Sequence, residues 1–377
     1  MVHIDYTSLA EKYGTPLYVY DTKQIVDNIR RIAHSLKYRH SSMYYAAMCN
    51  SHKTALSIVR KNGLGVQINS GHELQLVKKA GFKNNSISFT STGISTELMS
   101  MLIRDRIRVH LDSVEEVDKF CSLVQHRTFG IRIRIPKSIT SHSPDATNTN
   151  RYSHIGIEPK DFRTVLRIAS AAHNSITGVH GYFASNVLEL TPFQNFAPFL
   201  CTMASSFPDL EYVNFGSGFG IPYAPGQRAF NMKNVMALYG LHTKALSQKY
   251  GRPIELMIEP GRTILADAGT LVVQVTNIKR LSSKKSEIAV DAGFAELARP
   301  LVYGAYHAIS AVNTAKRERA NYDIRGNTVL QNDFLGKNRM LEMIREGDYL
   351  LIKNVGAYGA AMASGFPGKN IPKQVFV

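Results

Sequence analysis

Between residues 42 and 261 the chain alternates eight β-rich runs with segments of helical periodicity, and that alternation narrows the possible folds more than any other feature. The runs are SMYYAAM (42–48), GVQINS (65–70), SISFTS (86–91), RVHLDS (108–113), FGIRIRI (129–135), ITGVHGYFAS (176–185), EYVNFGSG (211–218) and IELMIEPG (254–261). Segments between them, such as HELQLVKKAG and VEEVDKFCSLV, place apolar residues three and four apart, the spacing of one helix face. Strands that are apolar on both faces need helices as cover. Eight such units predict an α/β protein built on a closed parallel (β/α)8 barrel, with a doubly wound open sheet as the competing topology.

After Gly269 the pattern turns β-rich: GTLVVQVTNI, SEIAVDAG, EGDYLLIKNVG and KQVFV. This predicts a second, mainly antiparallel β domain, which the early run TPLYVYD (15–21) is free to join. The expected division is a barrel over 30–269 and a β domain made of 1–29 and 270–377. The stretch 136–153, rich in Ser, Thr, Asn and Pro, reads as a long loop after the fifth barrel strand, on the face where barrels carry their sites.

Composition removes several function classes. With 44% apolar and 20% charged residues, the 377-residue chain is of ordinary globular type. Its formal charge of +16 is spread thinly and lacks interleaved aromatics, so it reads as a solvated basic surface that favours anionic small molecules, with no nucleic-acid partner. The three cysteines, Cys49, Cys121 and Cys201, fit neither a disulfide framework nor a metal-ligand spacing. No apolar leader opens the sequence and no run of about 18 apolar residues occurs, so the expectation is a cytoplasmic protein with reduced thiols and no membrane partner.

In a barrel of this kind the chemistry sits at the C-terminal strand ends. Met48 ends the first run, and Asn69 and Ser70 the second. Tyr182 and Ser185 fall at the end of the sixth. The seventh enters GSGFG, comprising Gly216, Ser217, Gly218, Phe219 and Gly220, and the eighth ends in EPGR, comprising Glu259, Pro260, Gly261 and Arg262. Successive amides of a glycine loop can converge on a phosphate. Glu259 has the chemistry to hold a ring nitrogen protonated while Arg262 takes an anion. A plain tight turn and a structural salt bridge are the bland alternatives. Together, a phosphate cradle and a carboxylate aimed at a ring nitrogen point to pyridoxal 5'-phosphate.

The motifs YGTPLYVYD, YYAAMCNS, NSGHEL, NFGSGFGIPY, EPGR, VDAGFAELARPLVYGAYH and GDYLLIKNVGAYGAAMAS run nearly end to end and in order. They resemble the diaminopimelate decarboxylase family, a fold-type III group that includes ornithine and arginine decarboxylases and, more distantly, alanine racemase. The resemblance implies a pyridoxal-phosphate barrel enzyme of lysine biosynthesis, a C-terminal β domain and a homodimer with shared active sites. It implies that Glu259 pairs with the ring nitrogen. It further implies that the glycine loop, Ser185, Gly261, Arg262 and Tyr358 hold the phosphate. Arg262, Arg299, Tyr303 and Tyr358 match substrate-binding positions, the first three for the distal carboxylate.

The departures from the family fall on the reacting positions. The family's first-strand motif reads tyrosine, alanine, any residue, lysine, alanine, asparagine, and here Met48 occupies the place of the Schiff-base lysine. Tyr182 replaces the histidine that stacks on the ring. In NTVLQND, Val329 stands for the catalytic cysteine and Leu330 for the acidic residue after it, while Asp333 is kept. Met48 can form no imine, Val329 donates no proton, and Leu330 offers no partner to a distal ammonium. Two origins fit Met48: a lysine replaced so as to trap a complex, or a homologue that has drifted. Lys53 is expected inside the next helix and is a poor substitute. The leading expectation is a decarboxylase blocked or slowed by Met48. The alternatives are a catalytically lapsed binding protein, or a pyridoxal enzyme that racemises or eliminates.

Overall fold

The computed structural model describes residues 4–143, 146–148, 155–228, 230–281, 285–312 and 318–377. The eight runs form strands β1 (Ser41–Ala46), β2 (Gly65–Ile68), β3 (Ile87–Thr90), β4 (Arg108–Leu111), β5 (Thr128–Arg132), β6 (Ser175–His180), β7 (Tyr212–Asn214) and β8 (Glu255–Ile258). They close in sequence order, every neighbouring pair parallel, so the open-sheet alternative is excluded.

The helices start where side chains satisfy their first amides. Ser70 accepts from the Glu73 amide at 3.1 Å, and the Glu73 carboxylate reaches back to the Asn69 amide at 2.6 Å. Ser113 and Glu116 repeat the device, with Glu116 accepting from the Asp112 amide at 2.8 Å. Each box supplies partners for amides that a helix start leaves open, at about 1 kcal/mol per cap. Both hold a barrel strand end against the helix that follows.

Tyr44, Arg108, Tyr212 and Met257 fill the N-terminal end of the barrel. The Arg108 guanidinium lies 4.5 Å over the Tyr212 ring and 3.4 Å from Glu255. The glycines of β5 and β6 make room for this plug. A Cβ at Gly130 would stand 2.5 Å from the Tyr212 hydroxyl, and one at Gly178 would enter the same ring.

The chain divides into two units, Asn28–Gly220 with Ala229–Gly261, and Met1–Asp27 with Ile221–Arg228 and Arg262–Val377. The second unit holds a mixed, mainly antiparallel sheet. Strand Leu17–Tyr20 pairs antiparallel with Gly269–Arg280 and parallel with Lys373–Phe376. Gly269–Arg280 also pairs antiparallel with Tyr349–Lys353 and Lys285–Val290. Ala10, Leu17, Val19, Val272 and Leu351 make a core there.

The division falls at residue 261 rather than 269 because 262–268 bonds into the β unit. The Asp21 amide donates to the Ala268 carbonyl at 2.9 Å and the Gly356 amide to Ala266 at 3.0 Å. Residues 221–228 join that unit too, carrying Tyr223 to Arg262 and Arg299. Cys49, Cys121 and Cys201 are buried free thiols, and no helix among the described residues is long and apolar enough to cross a membrane.

Candidate active site

The first strand stops at Ala46, two residues short of Met48. Residues Ala47–Cys49 form a single 3-10 turn, pinned where the Tyr45 hydroxyl donates to the Asn50 carbonyl at 2.7 Å and the Ala46 amide to Pro260 at 3.2 Å. Ala47 and Cys49 are buried by this packing and Met48 is 48% exposed, so the turn and not a strand end presents it. Gly261 makes the close approach possible, since a Cβ there would stand 3.2 Å from Cys49 Sγ. Lys53 opens the following helix, Lys53–Lys61, and points to solvent.

The glycine loop is ordered from below. Gly216 and Gly218 adopt φ of +58° and +89°, and a Cβ on Gly218 would run into the Ala184 carbonyl oxygen. The Val187 amide donates to Gly218 at 2.8 Å, and Gly220 donates back to Val187 at 2.9 Å. The Gly216 amide is taken by Asn214 Oδ1 at 2.9 Å. Among the described residues the amides of Ser217, Gly218 and Phe219 have no acceptor. A curved loop that leaves three successive amides open is suited to a phosphate. Phe219 anchors the loop by its side chain, packing 5.7 Å from Phe193.

Tyr182 follows β6, half-buried, and lies alongside Gly216, where an added Cβ would come within 3.3 Å of its ring. Ser185 sits in a two-residue strand, Ala184–Ser185, paired with Thr147–Asn148 of the long loop. That loop is tied down further where Ser141 donates to Glu189 at 2.7 Å. Residues 144, 145 and 149–154 lie outside the described residues.

Glu259 follows β8 and is buried in the barrel. Its Oε1 accepts from Asn214 Nδ2 at 2.7 Å and from Ser88 Oγ at 3.5 Å, and its Oε2 is 3.4 Å from His180 Nε2. Burial pushes His180 below the ordinary imidazole range, against the pull of Glu259, so it donates as a neutral ring. Its Nδ1 is buried with no hydrogen-bond partner among the described residues. The His110 ring lies 5.1 Å away, 2.9 Å from Thr90 Oγ1 through its Nδ1. Asp112 and Arg132 pair at 3.8 Å, with burial raising the aspartate to about 6. None of Asn214, His180, His110, Asp112 or Arg132 stood out from motif spacing. Their signal was polar residues at every second place in strands that should be apolar on both faces.

The β unit gathers a second group. Arg262 Nη1 donates to the Tyr223 hydroxyl at 2.8 Å, and its guanidinium lies 4.9 Å over the ring of Tyr358. Tyr358 itself sits at φ +60°. Arg299 opens the short helix Arg299–Tyr303, its guanidinium 4.4 Å over Tyr223 and 3.1 Å from His307 Nε2. Tyr303 is exposed at the other end. Asp333 is a buried hub that accepts from the Phe294 amide at 2.7 Å and the Thr328 hydroxyl at 2.6 Å. It fixes the loop whose tip exposes Leu330 and leaves Val329 99% exposed.

A closed parallel barrel with an open-amide glycine loop and a buried, hydrogen-bonded carboxylate beside it defines a phosphate-cofactor barrel of the pyridoxal type. Residues 22–266 match the family described as pyridoxal-dependent decarboxylase, pyridoxal binding domain, and the chain belongs to that family of carboxy-lyases. A diaminopimelate decarboxylase of Methanothermobacter thermautotrophicus is 30% identical over 99% of this chain and 89% of its own. One of Bacteroides thetaiotaomicron is 29% identical over 95% and 94%. Among solved structures, diaminopimelate decarboxylase of M. jannaschii in co-complex with L-lysine is similar with a TM-score of 0.90, at 26% identity over 98% of this chain and 88% of that one. The Helicobacter pylori enzyme complexed with L-lysine gives 0.88, at 26% identity over 99% and 94%. The family's cofactor is pyridoxal 5'-phosphate. The open amides and Glu259 fit it as a noncovalent guest, and Met48 supplies no amine for a covalent bond.

Proposed function

We propose that this chain is a decarboxylase of an amino acid with an acidic far end, built on the frame of diaminopimelate decarboxylase and slowed because Met48 holds the Schiff-base position. The observation that carries the reading is Glu259, buried among neutral donors next to a glycine loop with three open amides. When bound, pyridoxal phosphate supplies an electron sink for the pair left as carbon dioxide departs. Ser217, Gly218 and Phe219, with Ser185, Gly261, Arg262 and Tyr358, hold its phosphate. Glu259 keeps a proton on the ring nitrogen, which keeps the sink open. Tyr182 is an aromatic plate for the ring.

Arg299, Tyr303 and Arg262, with Tyr358, take the far carboxylate of the substrate. Leu330 cannot pair with a far ammonium, so diaminopimelate itself is disfavoured. Val329 cannot return a proton to the α-carbon, and water takes that task. Met48 cannot exchange with the product amine, so release depends on slow hydrolysis. We read the protein as a cytosolic homodimer, with the exposed 329–330 tip meeting the second copy. The lost groups at 48 and 329 also favour a second reading, a lapsed protein that binds cofactor or amino acid without turnover.

Carbon dioxide release from a panel of amino acids with distal carboxylates, by this chain and by Met48→Lys with added cofactor, separates the two. The expected gain for Met48→Lys is roughly two orders of magnitude or more. A variant that retains cofactor through gel filtration yet releases no carbon dioxide from any substrate overturns the decarboxylase reading.

A further inference from the structure

The N-terminal end of the barrel, opposite to Glu259, holds a cavity of about 310 Å³ that the candidate active site does not use. It lies where β4, β5 and β7 begin, and Arg106, Arg108, Arg127, Glu211 and Tyr212 line it. Small-molecule sites run from roughly 300 to 1,000 Å³, so it is large enough for a compact ligand. One wall is apolar, where the helices Thr96–Arg104 and Val114–Leu123 meet the strands. Leu102, Val109, Phe120 and Phe129 are buried there, with the two phenyl rings 4.9 Å apart.

The charges around this wall are not all settled. Arg108 is committed, with its guanidinium 3.4 Å from Glu255 and 4.5 Å over the Tyr212 ring. Arg106 is exposed and Arg127 half-buried, and neither guanidinium has an ion pair or a hydrogen bond among the described residues. Glu211 is the single carboxylate on the lining and is equally unpaired, so positive charge is in excess. Tyr212 is 3% exposed, and its hydroxyl is buried with no hydrogen-bond partner among the described residues. Burying a hydroxyl unbonded is costly, and a polar ligand atom is one way to answer it.

Two open guanidinium forks beside an apolar wall select for both properties at once. A bare inorganic anion has nothing to lay on the phenyl rings, and a neutral hydrocarbon has nothing for the forks. We propose that this cavity is a second binding site, for a small organic acid with an apolar body. Arg106 and Arg127 take the carboxylate, and the body rests on Phe120 and Phe129. Glu211 sets the limit on charge, since it repels a second anionic group. The site shares no residue with the Glu259 end of the barrel and does not rest on the decarboxylase reading.

The test is calorimetric titration of the full unaltered chain with 3-phenylpropanoate, acetate, inorganic phosphate and the neutral 3-phenylpropan-1-ol at constant ionic strength. None of these probes has an amine that could condense with a cofactor aldehyde. 3-Phenylpropanoate is expected to bind about tenfold more tightly than each of the others. Arg106→Gln and Arg127→Gln should each weaken it about fivefold and leave the alcohol unchanged. Glu211→Gln should tighten it about twofold, by removing a like charge. Arg299→Gln, which alters the other end of the molecule, should leave it unchanged. The proposal is overturned by no binding at millimolar concentration, by acetate or phosphate binding as tightly as 3-phenylpropanoate, by full affinity in both Arg106→Gln and Arg127→Gln, or by loss of binding in Arg299→Gln. Carbon dioxide release plays no part in this measurement, so the two readings stand or fall separately.

Discussion

Glu259 in the barrel and Arg299 in the β unit are both buried charges, and their surroundings mirror each other. Glu259 is met by donors of no net charge: the Asn214 amide, the Ser88 hydroxyl and a neutral His180. Arg299 is met by an acceptor and a ring of no net charge, the Nε2 of His307 and the face of Tyr223. Neutral partners satisfy hydrogen bonds without cancelling charge, so each centre stays ready for a ligand group of opposite sign. Arg132 and Asp112, paired within the same barrel, illustrate the other solution, in which a charge is settled internally and calls for no ligand.

The comparison breaks most visibly at Glu259. In the Met48→Lys background, Glu259→Gln keeps the shape and loses the charge, and kcat should fall about a thousandfold, near 4 kcal/mol, with a smaller change in cofactor affinity. An unchanged kcat would mean that the carboxylate is only structural.

The neutrality of His307 is read from acid unfolding. Its folded value of about 3 lies below the unfolded 6.5, so between those limits the unfolded chain holds more protons. Its contribution is complete above pH 6.5 and is lost as pH falls towards 3. Wild type should therefore lose roughly 3 kcal/mol more than His307→Gln across that window, measured by urea unfolding. Parallel pH profiles would contradict a neutral ring.

At the positive centre, Arg299→Gln removes the guanidinium charge and, being shorter, gives up the bond to His307. KM for an acidic substrate should rise about thirtyfold, near 2 kcal/mol, with kcat little changed. The smallest effect is expected in the cradle. Gly218→Ala meets both a left-handed φ and the Ala184 carbonyl, and should cost about 1.5 kcal/mol in thermal unfolding along with weaker phosphate binding.

The barrel was legible in the sequence because eight β-rich runs alternate with segments of helical periodicity, a count and order that hold even where polar residues interrupt the strands. Met48 was misplaced by two residues, because the turn that carries it is set by the Tyr45 hydroxyl and the Pro260 carbonyl, and the second of these lies more than two hundred positions away. The same distance hid the boundary at 261, which depends on bonds from Asp21 and Gly356. Asp333 was visible as a kept residue, but its work of fixing the 326–333 loop depends on Phe294 and could not be read locally. His180 and His307 left only the trace of a polar residue in an apolar context. Their meaning came from which nitrogen faces which charge.

The central claim is that the cofactor frame persists where the covalent link is lost. Titration of the unaltered chain with pyridoxal phosphate, followed by borohydride reduction and mass measurement, tests it most directly. Reversible binding with no retained mass, against a trapped adduct at residue 48 in Met48→Lys, is the predicted result. No binding by the unaltered chain at millimolar cofactor, or a specific adduct on another lysine such as Lys53, would contradict it.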